Sequence, residues 1–91
     1  MEITDVKIRR TFESAPLKAV ASVTLDGEFA VHDIKVIATD ARLFIVMPSR
    51  KNADGSYRDI AHPIHSAFRT KLENAVLAAY DAFVSEATVY P

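Results

Sequence analysis

The chain has 91 residues, 11 Lys and Arg against 12 Asp and Glu, and no cysteine. This is one small domain whose net charge of −1 argues against a protein that coats nucleic acid over its whole surface. The missing cysteines exclude a disulfide framework and thiolate metal sites, and no apolar run approaches the ~20 residues of a membrane span. Met1-Glu2-Ile3-Thr4-Asp5 lacks the charged and apolar regions of a secretory signal, so a cytoplasmic protein is expected.

Glu2 to Arg10 alternates as a half-exposed strand, with Thr4, Val6 and Ile8 on one face, and Phe12 to Pro16 is a connection that Pro16 closes. Leu17, Ala19, Ala21, Val23 and Leu25 form the clearest alternating set. Asp26-Gly27 follows as a hairpin turn, because both positions tolerate positive φ. Glu28 to Ala38 carries a phase slip: Phe29 and Val31 share one face, whereas Ile34 and Val36 fall on the other. A bulge near His32-Asp33 would bring both pairs to one side. After a turn at Thr39 to Ala41, Leu43 to Met47 is apolar on both faces, which predicts a strand inside a sheet or against a second subunit.

Pro48 ends that strand, Asn52 to Gly55 is rich in turn formers, and Tyr57 to Ile60 pairs back toward Ser49-Arg50-Lys51 as a short exposed arm. His62-Pro63 closes the arm, since the residue before proline is pushed out of helical geometry. A helix runs from about Ser66, its N-cap, to Val84. Its buried stripe is Phe68, Leu72, Ala75, Val76, Ala79 and Phe83. Glu86 to Pro91 reads as a poorly ordered tail.

Charge is unevenly spread. Arg50, Lys51, Arg58, Arg69 and Lys71 face only Asp54 and Asp59 in their stretch of the chain, whereas Leu72 to Pro91 has three acids and no Lys or Arg. Arg50 and Lys51, directly after a strand and a proline, are placed where phosphate oxygens can reach them. Arg69 and Lys71 lie early in the helix, where cations oppose its dipole and an anion would relieve them. Each cation is also explained by a solvated surface, and Arg9-Arg10 reads equally as a strand end or a phosphate contact. His62 and His65, with His32, Asp33 and Asp59, do not match a metal-ligand spacing, and a structural role at the junction is expected for Asp59 and His62. No serine sits in a nucleophile-elbow context, and two glycines cannot make a phosphate-cradling loop, so neither an enzyme nor a cofactor is expected.

Three blocks then carry a resemblance: Val31-His32-Asp33-Ile34-Lys35-Val36-Ile37, Leu43 to Lys51 (LFIVMPSRK), and Asp54 to Ile64 (DGSYRDIAHPI). In this order, with the opening MEITDVKIRR, they resemble the bacterial stage V sporulation protein G family over about residues 1 to 80. The resemblance implies a sheet with a C-terminal helix and a dimeric cytoplasmic regulator linked to septum formation and sporulation. It also implies DNA binding and, in some members, RNA binding. The basic pair after Met-Pro-Ser, implicated in nucleic-acid contact, falls on Arg50 and Lys51. The helix start, implicated in sequence preference, falls on Ser66 to Lys71, where Ala67-Phe68 replaces a more polar stretch.

The reading is therefore an α+β domain over residues 1–84, four main antiparallel strands plus a hairpin arm, with a helix packed on the sheet and a tail at 85–91. The expected function is a dimeric DNA-binding or RNA-binding regulator of septation or sporulation. Its expected contacts are Arg9, Arg10, Arg50, Lys51, Arg58, Ser66, Arg69, Thr70 and Lys71, with no catalytic residue, metal, cofactor, membrane or small-molecule substrate. The competing reading is a protein-interaction module of the division machinery whose cations are only a solvated surface.

Overall fold

The computed structural model describes residues 1–14 and 16–89. Ala15, inside the expected connection, and Tyr90 and Pro91, at the end of the expected tail, lie outside the described residues. Among the described residues the elements are β1 (Ile3–Thr11), β2 (Leu17–Leu25), β3 (Phe29–Ala38), β4 (Leu43–Val46), β5 (Ser49–Lys51), β6 (Tyr57–Asp59) and α1 (Ser66–Val89). Strands β1 to β4 form an antiparallel sheet in sequence order, β5 and β6 form a separate two-stranded ribbon, and α1 packs on the sheet. The fold is α+β, as expected.

The core begins with β2, whose Ala19, Ala21, Val23 and Leu25 are all buried on the helix side. Two alanines in the middle of the row let the helix approach closely, and Leu72 and Val76 fill that space with Ile34, Val36, Ile45 and Met47. At the turn, Asp26 (φ 54°) and Gly27 (φ 64°) both adopt the left-handed conformation, and the Glu28 N–H donates to the Leu25 carbonyl at 3.0 Å.

The phase slip in β3 resolves as a bulge. Ala21 pairs with Ile34 and Val23 with Val31, so two steps along β2 correspond to three along β3, and Asp33 sits in the bulge at φ 63°. Val31, Ile34 and Val36 thereby share the core face. The register also shifts at places the sequence does not announce, between Ile8 and Arg10, between Leu17 and Ala19, and between Ile3 and Asp5, the last of which puts Ile3 on the core face with Val6 and Ile8. Thr4, expected on that face, is exposed instead, and its hydroxyl accepts from the Gly27 N–H at 2.9 Å.

Four further expectations are corrected. Strand β4 is an edge strand, which corrects the first of the two alternatives, a place inside the sheet; its two apolar faces arise because Ile45 lies under the helix while Phe44 and Val46 are half-buried on the opposite side. The helix begins at Ser66 itself, with the His65 carbonyl accepting from the Arg69 N–H at 3.0 Å, so His65 occupies the cap position assigned to Ser66. At its other end the helix extends past Val84 to Val89, into the expected tail. Its buried stripe leans toward Leu77 and Tyr80, which leaves Phe83 45% exposed. No helix among the described residues is long and apolar enough to cross a membrane.

Candidate functional site

The arm is built by the Asn52–Ser56 turn. The Asn52 N–H donates to the Ser56 carbonyl at 2.7 Å and the Gly55 N–H to the Asn52 carbonyl at 3.0 Å, with Gly55 at φ 91°. The Asp54 carboxylate accepts from both the Ser56 hydroxyl (2.6 Å) and its N–H (3.0 Å). These bonds hold the Asp54 carboxyl below its ordinary pKa of 3.8, the Ser56 hydroxyl contributing most. At the base the ladder runs one step past β6, since the Ile60 N–H donates to the Pro48 carbonyl at 2.7 Å.

This turn sets the register Ser49 with Asp59, Arg50 with Arg58, and Lys51 with Tyr57. Directly opposed residues share a ribbon face, so the guanidinium groups of Arg50 and Arg58 project together. Like charges in that position disfavour the ribbon by about 0.2–1 kcal/mol. Both arginines and Lys51 are exposed, and among the described residues none of the three has a side-chain hydrogen bond or ion pair. Among the described residues, strands β5 and β6 contact each other and no other strand or helix, so the arm stands away from the sheet.

The other predicted residues divide into two groups. At the helix start, Ser66 and Thr70 are exposed, and Lys71 reaches the Met1 carbonyl at 3.5 Å. Arg69 is half-buried and donates through Nη2 to the Ile45 carbonyl at 2.9 Å, which commits part of its guanidinium to the edge of the sheet. In β1, Arg9 donates through Nε to the Ser22 hydroxyl at 3.2 Å, and the Arg10 guanidinium lies over the Phe12 ring at 5.0 Å. These two lie on the sheet face remote from the helix.

The junction residues differ from expectation in one case. His62 does meet a carbonyl, with Nδ1 3.0 Å from the Pro63 oxygen. Asp59 is exposed and has neither a side-chain hydrogen bond nor an ion pair among the described residues, so the structural role expected of it at the junction, through backbone N–H groups or a neighbouring cation, is not realised. His32 is drawn away from the other histidines by a 2.8 Å hydrogen bond with Ser22.

Two features escaped sequence reasoning. Glu73 accepts from the Ile45 N–H at 3.1 Å, one helical turn after Arg69 takes the carbonyl of the same residue. The i, i+4 spacing was readable, but its target on β4 was not. The second is an apolar cleft of about 410 Å³ between the β2–β3 turn and the junction before α1, floored by Val23, Met47 and Leu72 and rimmed by Met1, Phe29 and Ile64. The rim residues are 73%, 61% and 85% exposed.

Comparison with known proteins bears on this arrangement. The SpoVG family model matches residues 1–82, slightly beyond the expected reach. The chain is 54% identical over 81 residues to "Putative septation protein SpoVG 1" of Listeria monocytogenes, covering 89% of this chain and 79% of that protein. It is 53% identical over 89 residues to a similarly named protein of Lachnoclostridium phytofermentans, covering 98% of this chain and 96% of that one. A third similarly named relative, from Alkaliphilus oremlandii, is 56% identical over 81 residues, covering 89% of this chain and 87% of the relative. The match spans the whole sheet, the arm with its opposed arginines, and the first four turns of the helix, and the chain belongs to the SpoVG family.

Proposed function

We propose that the protein is a dimeric regulator of cell septation that binds nucleic acid through its arm. The observation that carries this reading is the Arg50–Arg58 pair. An exposed ribbon gains nothing from setting two guanidinium groups side by side, and the arrangement becomes favourable when a phosphate lies between them. Lys51, on the other ribbon face, extends the cationic surface to both sides of the arm. Contacts of this kind position a polyanion without reading its bases, so the arm supplies affinity and salt dependence. Sequence preference then falls to the exposed Ser66 and Thr70, while Arg69 acts chiefly by holding the helix on β4.

The link to septation follows the names carried by the relatives. The dimer is supported by the cleft, where Phe29, Ile64 and the neighbouring Ile60 leave large apolar surfaces exposed at one end of the molecule. Obligate interfaces resemble a core cut in half, and a second copy would cover that rim. The same rim favours the competing reading, an interaction module that meets a division protein there without touching nucleic acid. Gel-shift titration of the wild-type protein against random and genomic duplexes at two salt concentrations separates them: binding that weakens steeply with salt supports the arm, and no binding at low salt supports the module.

A further inference from the structure

The helix covers only one face of the four-stranded sheet. Cross-strand pairs place residues on the same face, so the composition of the other one follows from the register. Lys7 opposes Ser22, Arg10 opposes Val20, Val20 opposes Lys35, and Lys35 opposes Val46. Arg9 joins them through its bond to Ser22, and Phe44, opposite Ile37, carries the Arg42 guanidinium over its ring at 5.1 Å. Five cations, Lys7, Arg9, Arg10, Lys35 and Arg42, therefore gather on a face where Asp5, opposite Thr24, is the acid fixed by register and Asp33 lies in the adjoining bulge. In a chain of net charge −1 this is a strong local excess.

We infer that this open face is a second nucleic-acid surface, one that takes single strands. The inference rests on the nucleic-acid reading of the arm and adds a separate site with a different preference. Three observations select the occupant. The cations surround one aromatic ring on the face, Phe44, flanked by the Arg42 guanidinium, with Phe12 and its Arg10 at the margin where β1 meets the end of the helix, a composition that tracks a phosphate backbone while a base stacks. The face is a sheet, broad enough for splayed bases, whereas the narrow arm suits a duplex groove. A second copy of the chain is disfavoured, because a two-fold axis would bring like cations together. The Arg9–Ser22–His32 hydrogen-bond chain ties β1, β2 and β3 together across the middle of the face and fixes Arg9 in place.

The test uses single-stranded and duplex oligonucleotides of equal length, with wild type, Lys7→Ala/Lys35→Ala and Arg50→Ala/Lys51→Ala. Lys7 and Lys35 are exposed and have no side-chain partner among the described residues, so their removal leaves the fold intact. The face variant is expected to lose affinity for single strands, with the log–log salt slope falling by about 1.4 units for two lost contacts, and to keep duplex affinity. Phe44→Leu, which retains apolar volume and removes the ring, should weaken single-strand binding about tenfold. If the face variant binds single strands with unchanged affinity and slope while the arm variant is impaired, the face inference is overturned and the arm reading stands. If wild type binds neither form, both fall. If the face variant loses binding only to anionic phospholipid vesicles, the occupant is a membrane surface and the inference is wrong.

Discussion

The guanidinium of Arg69 donates to the carbonyl of Ile45 at 2.9 Å, and one turn later the carboxylate of Glu73 accepts from the N–H of that same Ile45 at 3.1 Å. Ile45 stands opposite Val36 in the sheet, and its own backbone groups meet the helix side chains. An edge strand with free backbone groups is a template for further pairing, and this clamp closes it with the same two side chains that dock the helix. The other edge, β1, is protected differently, by two register shifts and by Lys7, Arg9 and Arg10.

Arg69→Ala or Glu73→Ala should each cost about 1–3 kcal/mol, because each leaves a half-buried backbone group of β4 without its partner. Urea denaturation of the single and double variants would show coupling, since both act on one residue. Additive losses in the double variant would argue that the two bonds are independent.

Asp33 holds a left-handed conformation at φ 63° so that the bulge can return Val31 to the core face. Asp33→Gly should leave stability unchanged or raise it slightly, whereas Asp33→Val should cost upward of about 1 kcal/mol, since a β-branched residue resists that conformation. Thermal melts of both variants decide the point, and equal melting temperatures would contradict it.

The Asp54 carboxyl is held below its ordinary pKa by Ser56, so its ionised form is the one that orders the arm tip. The folded value is the lower one, so this contribution is fully present above the unfolded value of about 3.8 and disappears as pH falls through the depressed folded value. Proton exchange of the Ser56 amide should be slow at neutral pH and accelerate only in that acid window once intrinsic rates are divided out. Asp54→Asn should remove the pH dependence.

Arg58→Glu offers a cleaner separation of stability from binding. Replacing one of two opposed arginines by a carboxylate converts repulsion into a cross-strand ion pair with Arg50, so the arm should become slightly more stable, by about 0.2–1 kcal/mol. Duplex affinity should nonetheless fall. A variant that is both stabler and binds as well as wild type would leave the arginine pair unexplained.

If the proposed dimer forms through the cleft rim, Ile64→Glu, at an 85% exposed position there, should lower the mass found for wild type by light scattering at micromolar concentration, with no loss of melting cooperativity. An unchanged mass would move the interface elsewhere.

Much of this fold was legible because local pattern and tertiary need agree. The alternation of Leu17 to Leu25, the Asp26-Gly27 turn and the slip at His32-Asp33 each have one economical solution, and the chain adopts it. What escaped depends on partners distant in sequence. Leu43 to Met47 reads as interior because it is apolar on both faces, yet it is an edge that the helix closes through side chains 24 and 28 residues away. The shift of Ile3 onto the core face follows from a bulge that no glycine announces. For the site, the clustering of Arg50, Lys51 and Arg58 could be read from the hairpin alone, whereas the bond that ties Arg69 to β4 could not. Lys7 and Lys35 are individually ordinary and acquire meaning only when the register sets them on one face.

The measurement that bears most directly on the arm is the salt dependence of duplex binding by Arg50→Ala/Lys51→Ala beside wild type. Two lost phosphate contacts should flatten the log–log slope by about two units and weaken binding to all sequences alike, with the melting temperature unchanged. An unchanged slope and affinity in the folded double variant would contradict nucleic-acid binding by the arm.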